Sequence, residues 1–579
     1  MENGEKEISG LFSGRKVFCI PDYQRAYSWD KKQLEDFLED LINQRDDKTY
    51  FFGTILFQED GKEDNFDRIN IVDGQQRMTT IIIFMKIIIE YLRQSGKDVE
   101  LFEDTYIKSY NKVKFRIQKE DNEFFQTYIL QDNINGKNAI KTPSQKRLLF
   151  AKEFFKKELI RFVNDSDILN NLREKLENSK LLTYSVSGEA EAALIFETTN
   201  DRGKPLTKLE KTKSFLMYRS YIASKEDNPS DLLKNIFMRF CEIYRTLEKI
   251  GDGIDEDSIL QYYFIAYEEW DKKRDYQQFL EKIKEKINRM IANKEYSETL
   301  SYIDKYSKEL KETFDIFASI LSNKSEKLRD LFLLQRIGIF YPLLIKTYQL
   351  DNSEEKENFG RVIEILEIFS FRVLSLKIKR TNDVDAWIHK EANKFNGDYD
   401  ELILNIKNKI LEVSPDNLFK NKLSSVTLYG DLVNSDLIYF FWKYENYLRI
   451  IGKAKYTPMS EDEFSNQDKK YKLGVEHIAS QNPKVTTDKI EFEEMTPDFK
   501  DNYLHSIGNL TFDPQSANSS KGNKTVPEKD SKYFKKAPFM TQNELEEFME
   551  DKKWTKNSIE KRKEKIIKFA FERWNPNKI

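Results

Sequence analysis

Cysteine is nearly missing: Cys19 and Cys241 are the only two among 579 residues. Two cysteines cannot build a disulfide framework or a thiolate zinc site, and their scarcity points to the reducing cytoplasm as the natural compartment. Long apolar runs are missing too. The most apolar stretch, residues 81–92, is interrupted by Lys86 and Glu90. It falls short of the roughly 20 residues a membrane span requires, so it reads as a buried helix and no membrane is expected as a partner. The opening residues, MENGEKEISG, lack a signal-peptide pattern. Neither sign of charge dominates, since 95 Lys and Arg face 99 Asp and Glu for a net −4. A coat that is basic all over is excluded, and any DNA contact must be regional. No fixed-period repeat is visible, which argues against a solenoid.

Apolar material, by contrast, is ample. Hydrophobic residues make up 39% of the chain and aromatics 13%, against a charged fraction of 34%, so several cores can form and bulk disorder is not expected. At about 150 residues per domain the length suggests three or four folding units. Residues 1–222 mix strand-like runs, GTILF (53–57) and INIV (69–72), with an amphipathic helix between Asp30 and Gln44, where Leu34, Phe37, Leu38 and Leu41 recur at helical spacing. The polar, Gly-containing EDGKEDNFD between the two runs is the punctuation of a hairpin. Residues 223–430 read as a helical bundle linking the two ends. Residues 431–579 begin a C-terminal module, entered through a polar loop near 456–475. From Gln515 to Ile579 there are 16 Lys/Arg and 10 Asp/Glu, a local +6. The expected class is multidomain α+β.

Two constellations carry chemistry. In IVDGQQRMTT (71–80) a strand runs into Asp73 and Gly74, then Gln75, Gln76 and Arg77, with a helix expected from near Thr79. Such a turn aims free backbone N–H groups and the positive helix end at one spot, where an anion is stabilised. Arg77 adds a planar fork suited to phosphate oxygens, and the glutamines can donate or accept. IPDYQRAYSW (20–29) contributes Tyr23, Gln24 and Arg25, and FETTNDRGKPLTKLE (196–210) contributes Asn200, Arg202 and Gly203 before a helix with Thr207 and Glu210 at capping-box spacing. No GxxxxGK[ST] sequence occurs, so this is not a P-loop.

In their order, IPDYQRAYSW, FFGTI, IVDGQQRMTT and NDRGKPLT resemble the N-terminal domain of the GmrSD family of type IV restriction endonucleases, over about residues 8–220. That domain is similar to the ParB/sulfiredoxin-like fold. The resemblance implies binding and hydrolysis of a nucleoside triphosphate (GTP, UTP, CTP or ATP), with Tyr23, Gln24, Arg25, Asp73, Gly74, Gln75, Gln76, Arg77, Asn200, Arg202 and Gly203 as nucleotide-binding residues.

The second constellation lies near the C-terminus. VEHIASQ (475–481) reads as a strand ending in Glu476 and His477, and SIGNLTFDPQSANSSKGNK (506–524) carries Asn509, then Asn518 nine positions on, then Lys521, Asn523 and Lys524. Phosphodiester cleavage needs a base for water, a cation for the charge developing on phosphate, and donors to hold the scissile group. An imidazole, a carboxylate, carboxamides and lysines are the residue types that supply these. The arrangement resembles an HNH, or ββα-metal, nuclease and the C-terminal domain of GmrSD-type enzymes, where the pattern runs EHIxPQ, GNLT and an Asn-rich stretch. Ser480 stands where that pattern has Pro. The resemblance implies His477 as general base, Asn509 as the residue that orients it, and Glu476 and Asn518 as metal ligands. Lys521, Asn523 and Lys524 would contact DNA. Oxygen-rich ligation suits Mg²⁺ or Mn²⁺. His389 reads as structural or surface, and His505, just ahead of Gly508, as either a spare core ring or a substrate contact.

The implied activity is an NTP-regulated, metal-dependent cleavage of double-stranded DNA, modified phage DNA by analogy, in prokaryotic antiphage defence, with homodimer formation left open. The basic tail would contact DNA backbone and bind less tightly as salt rises. Two other readings stay open: a defence nuclease that senses phosphorothioation, and a nucleotide-dependent DNA-binding regulator without cleavage.

Overall fold

In a computed structural model, the structure describes residues 4–44, 50–131, 136–186, 207–224, 230–251, 253–452, 457–460, 464, 472–481, 496–524, 526–551 and 553–579. The chain divides into two compact units, one formed by residues 1–264 with 270–322 and the other by 265–269 with 323–579. The helical stretch 223–430 is therefore shared between the two units. Among the described residues no helix is long and apolar enough to cross a membrane.

The first unit is built on a six-stranded mixed sheet. Its strands are β1 (Gly4–Glu7), β2 (Lys16–Cys19), β3 (Phe51–Glu63), β4 (Phe66–Asp73), β7 (Phe115–Arg116) and β8 (Lys180–Val186), in the order β1-β8-β3-β4-β2-β7. The short pair β5 (Lys108–Ser109) and β6 (Lys112–Val113) stands apart from it. β3 and β4 form the expected antiparallel hairpin, and both extend into the segment the sequence suggested as loop. A shift of register between Glu59 and Lys62, with Gly61 at φ +74°, lets those polar residues stay in the ladder. The helix Lys31–Asn43 starts at Asp30 with a capping box to Gln33 and buries Leu34, Phe37, Leu38 and Leu41.

Directly after β4 comes the helix Gln75–Gln94. It begins four residues earlier than the sequence suggests, because Gly74 takes a left-handed cap conformation, φ +89°, that ends the strand at once. The apolar run 81–92 is indeed buried within it, and Lys86 pairs with Glu90 at 3.1 Å in the helix's own next turn. The helix Lys208–Ala223 opens with the Thr207–Glu210 capping box.

The second unit is mainly helical. Trp574, fully buried, stacks on Phe371 at a 3.8 Å centroid distance and on Phe440 at 5.3 Å. Near its C-terminus, β9 (Leu473–His477) pairs antiparallel with β10 (Leu510–Pro514), and the helix Gln515–Lys521 follows. His477 faces Leu510 across the ladder and Glu476 faces Thr511. The polar loop expected at 456–475 lies largely outside the described residues.

Candidate functional sites

In the N-terminal unit the two best-defined motifs lie side by side. The Gln24 carboxamide donates to the carbonyl of Val72 at the end of β4, 2.7 Å. Gln76, on the first turn of the helix after Gly74, accepts from Ser28 N–H (2.8 Å) and donates to the carbonyl of Ala26 (3.1 Å). Tyr27 shares a 2.8 Å hydrogen bond with Thr80. The amides thus hold residues 24–28 against the helix, a structural use the sequence does not announce.

Arg77 departs from its sequence-based role. Its guanidinium donates to the main-chain carbonyls of Phe52 and Thr54 in β3. Gly53, at φ +94°, is what admits it, since a Cβ there would collide with Arg77 Nη1. The fork expected to face phosphate instead satisfies the sheet.

The charges that do face one another come from several segments. Asp73, Arg25, Glu210, Lys213, Glu256 and the Tyr244 ring interact as one cluster. Arg25 Nη1 lies 3.9 Å from Glu210 and 3.8 Å from Glu256. Lys213 Nζ donates to the carbonyl of Tyr23, 3.2 Å, and burial lowers its pKa to about 8 against the pull of Glu210 and Asp73. Burial likewise raises the Asp73 carboxyl, with Arg77 and the Gly74 N–H opposing it. A small cleft lined by Asp22, Gln24, Gln118, Tyr244, Arg245 and Glu248 adjoins the cluster. The ring of Tyr23 packs on Phe237 at 4.2 Å. Gln75 is buried in the first helical turn. Asn200, Arg202 and Gly203 lie outside the described residues.

The second site sits at the end of β9. The His477 ring is buried. Its Nε2 lies 3.0 Å from His505 Nδ1, and its Nδ1 lies 3.1 Å from the Gln481 carboxamide nitrogen. Tyr429 stacks on His505 (5.4 Å, 7°) and meets His477 edge-on (4.6 Å, 72°). Burial, then the neighbouring His505 and Lys529, lowers the His477 pKa to about 3, so the ring is neutral at physiological pH. Glu476 is buried too. Lys529 Nζ donates to its Oε1 at 2.7 Å and to the carbonyls of His477 (2.8 Å) and Ile478 (3.3 Å). Burial raises the Glu476 carboxyl, and Lys529 opposes that shift.

The Asn509 side chain makes its hydrogen bonds to groups other than the His477 ring. Its Oδ1 accepts from Ala479 N–H (2.9 Å) and Trp554 Nε1–H (3.0 Å), and its Nδ2 donates to the carbonyl of Leu504 (2.8 Å). It therefore ties the segment after His477 to the segment before His505. Gly508 beside it has no alternative, because a Cβ would sit 2.2 Å from the carbonyl oxygen of Ile559. Ser480, the departure from the Pro of the pattern, donates to the carbonyl of Lys524, 2.8 Å, so a hydroxyl ties this loop to the one after the helix.

The three residues expected to contact DNA separate. Lys521 is turned inward, 1% exposed, with Nζ on Asp513 (2.9 Å) and Gln542 Oε1 (3.0 Å). Lys524 Nζ is half-buried and donates to the carbonyls of Ser520 and Lys521 at the helix end. Asn523 is exposed. Asn518 lies on the helix Gln515–Lys521, with its side chain outside the description. Among the described residues no group of three His, Cys, Asp or Glu side chains could hold a metal ion.

Residues 8–217 match the model of the GmrSD restriction endonuclease N-terminal domain, and residues 413–569 match that of the GmrSD restriction endonuclease C-terminal domain. The chain belongs to the GmrSD restriction endonucleases. Both sites fall inside the matched segments apart from Tyr244 and Glu256, and DNA is the substrate such an enzyme implies. A search of curated proteins found no match. Sequence reasoning about this GmrSD chain missed Lys213, Glu256, Lys529 and Tyr429, and left His505 as a spare core ring or a substrate contact. Their partners are remote in the chain, and a lysine in a basic run carries no mark of burial.

Proposed function

We propose that the C-terminal unit is a metal-dependent DNA endonuclease of the HNH type, with His477 as general base, and that the N-terminal unit binds and hydrolyses a nucleoside triphosphate that regulates it. The carrying observation is the buried His477 ring, held at both nitrogens next in chain to Glu476 on a strand–strand–helix element. A neutral imidazole with an accepting nitrogen can take a proton from water. The substrate proposed is phage DNA with modified bases, such as glucosylated hydroxymethylcytosine.

The donor set fits a hard cation. Mg²⁺ and Mn²⁺ commonly take one or two protein carboxylates and complete their shell with water and substrate phosphate. Glu476 offers a carboxylate of which Lys529 holds one oxygen, Oε1, and Asn518 is the proposed second ligand. The ion would supply charge neutralisation at the scissile phosphate. His477 would remove the proton from the attacking water, while Lys529 and Asn509 keep Glu476 and the following loop in place.

In the N-terminal unit, the helix end at Gly74, with the Lys213 cation close enough to interact with neighbouring Asp73, and with Arg25 part of the same charge cluster, supports an anion site. Tyr23, Gln24, Gln75 and Gln76 shape it, and Arg77 acts through the sheet. A ParB-like fold is proposed for this unit on the family resemblance.

The test is cleavage of glucosylated hydroxymethylcytosine phage DNA and of unmodified plasmid, crossed with four NTPs and with Mg²⁺ or Mn²⁺. His477→Ala should reduce cleavage by about 10²–10⁴-fold, the range for a general base, while NTP hydrolysis persists. If His477→Ala cuts at the wild-type rate, the assignment of the base is wrong.

A further inference from the structure

The two ring nitrogens of His477 have different neighbours, and this decides where its proton lies. A carboxamide nitrogen only donates. Gln481 Nε2, 3.1 Å away, therefore makes Nδ1 of His477 an acceptor. A ring that accepts at Nδ1 keeps its N–H on Nε2, which lies 3.0 Å from His505 Nδ1. His505 Nδ1 is then the acceptor, and the proton of that second ring is on its own Nε2. Tyr429 touches both rings and keeps them at a 79° interplanar angle, edge against face. Asn509 completes the frame at a distance, bonding Ala479 on one side and Leu504, the residue before His505, on the other.

We propose that His505 is the positioning residue of the C-terminal centre: by accepting the Nε2–H of His477 it fixes the ring's tautomer and leaves Nδ1 as the nitrogen that takes the proton from water. The inference rests on the reading of His477 as base. Asn509 sets the spacing of the two segments, whereas His505 sets which nitrogen has the free lone pair. Gln481 is exposed, and its amide N–H occupies the direction from which a water O–H would approach Nδ1. The attacking water takes the place of that carboxamide.

The experiment uses the full chain labelled with ¹⁵N-histidine. Three histidines give three pairs of ring nitrogens, assigned by single substitutions. In the wild type the His477 signals should show a protonated Nε2 and a bare Nδ1. His505→Phe keeps a ring against Tyr429 but offers no acceptor, and should mix the His477 tautomers. Its turnover on glucosylated hydroxymethylcytosine phage DNA should fall roughly 10²-fold, at the lower end of the range for a general base, with KM for DNA and NTP hydrolysis unchanged. His505→Asn places a carbonyl oxygen as many bonds from Cα as Nδ1, and should restore both the spectrum and most of the rate.

A wild-type spectrum with the proton on His477 Nδ1 overturns the proposal, and needs no variant to fold. So does a His505→Phe protein with full turnover and an unchanged His477 spectrum. Full cleavage by His477→Ala would instead remove the reading beneath it, so the two failures are distinguishable.

Discussion

The two sites use their motifs in opposite ways. In the N-terminal unit Gln24, Gln76 and Arg77 bond to main chain, and the charges that meet, Arg25, Asp73, Glu210, Lys213 and Glu256, arrive from separate segments. In the C-terminal unit the side chains of Glu476 and His477 bond to other side chains, Lys529, His505 and Gln481, while Asn509, Ser480 and Lys524 bond to main chain. A motif is thus a mixture of residues that react and residues that build, and residue type does not separate them. Guanidinium and carboxamide groups are as good at satisfying carbonyls as at holding phosphate.

The sharpest way to break this contrast is Lys529→Met. Removing one partner of a buried ion pair leaves Glu476 uncompensated, and should cost about 3–5 kcal/mol in denaturant unfolding of the C-terminal unit. A much smaller loss would mean that Glu476 is free rather than held. Next comes Arg77→Ala, which strips the carbonyls of Phe52 and Thr54 of their donors and should cost about 2–6 kcal/mol at 1–3 per group left unsatisfied. NTP hydrolysis should fall with it. Asp73→Asn should impair hydrolysis while thermal unfolding stays close to wild type. Loss of hydrolysis by Arg77→Ala at unchanged stability would put its fork back at the nucleotide.

Asn509→Ala should lower stability by about 1–3 kcal/mol for each buried group it orphans, the Ala479 N–H, the Trp554 Nε1–H and the Leu504 carbonyl, and should slow cleavage without touching hydrolysis. The smallest effect is one of pH. Burial lowers the Lys213 pKa to about 8 from the ordinary lysine value of 10.5, so between those values the unfolded chain binds the extra proton. Stability must then rise with pH across that window. Relative to Lys213→Met, the wild type should gain about 1–2 kcal/mol from pH 8 to 9.5, from 1.36 kcal/mol per pKa unit. A flat difference would show that Lys213 stays charged in the fold.

What could be read from the sequence was local. The helix capped at Asp30, the Thr207–Glu210 capping box and the hairpin of β3 and β4 follow from residues a few positions apart. The helix start at Gln75 was misplaced because three polar residues look like a loop until Gly74 is seen to cap them. The sites were legible as lists and illegible as geometry. His505 lies 28 residues from His477, and Lys529 lies 53 from Glu476. Arg562 sits in the basic run KRKEK yet is fully buried, bonding Glu544 and the carbonyls of Gly508 and Leu510. Pattern alone cannot tell such a residue from a solvated one.

Of the +6 surplus between Gln515 and Ile579, four cations among the described residues pair with acids from outside that segment: Lys521 with Asp513, Lys529 with Glu476, Lys556 with Asp498 and Arg573 with Glu367. Two thirds of the surplus is thus cancelled within the protein. A complex formed through this unit would displace few condensed counterions, and the slope of log affinity against log ionic strength would be shallow, at roughly 0.9 per phosphate neutralised. Grip on the double helix at cellular ionic strength then has to come from shape and base chemistry more than from unbalanced charge.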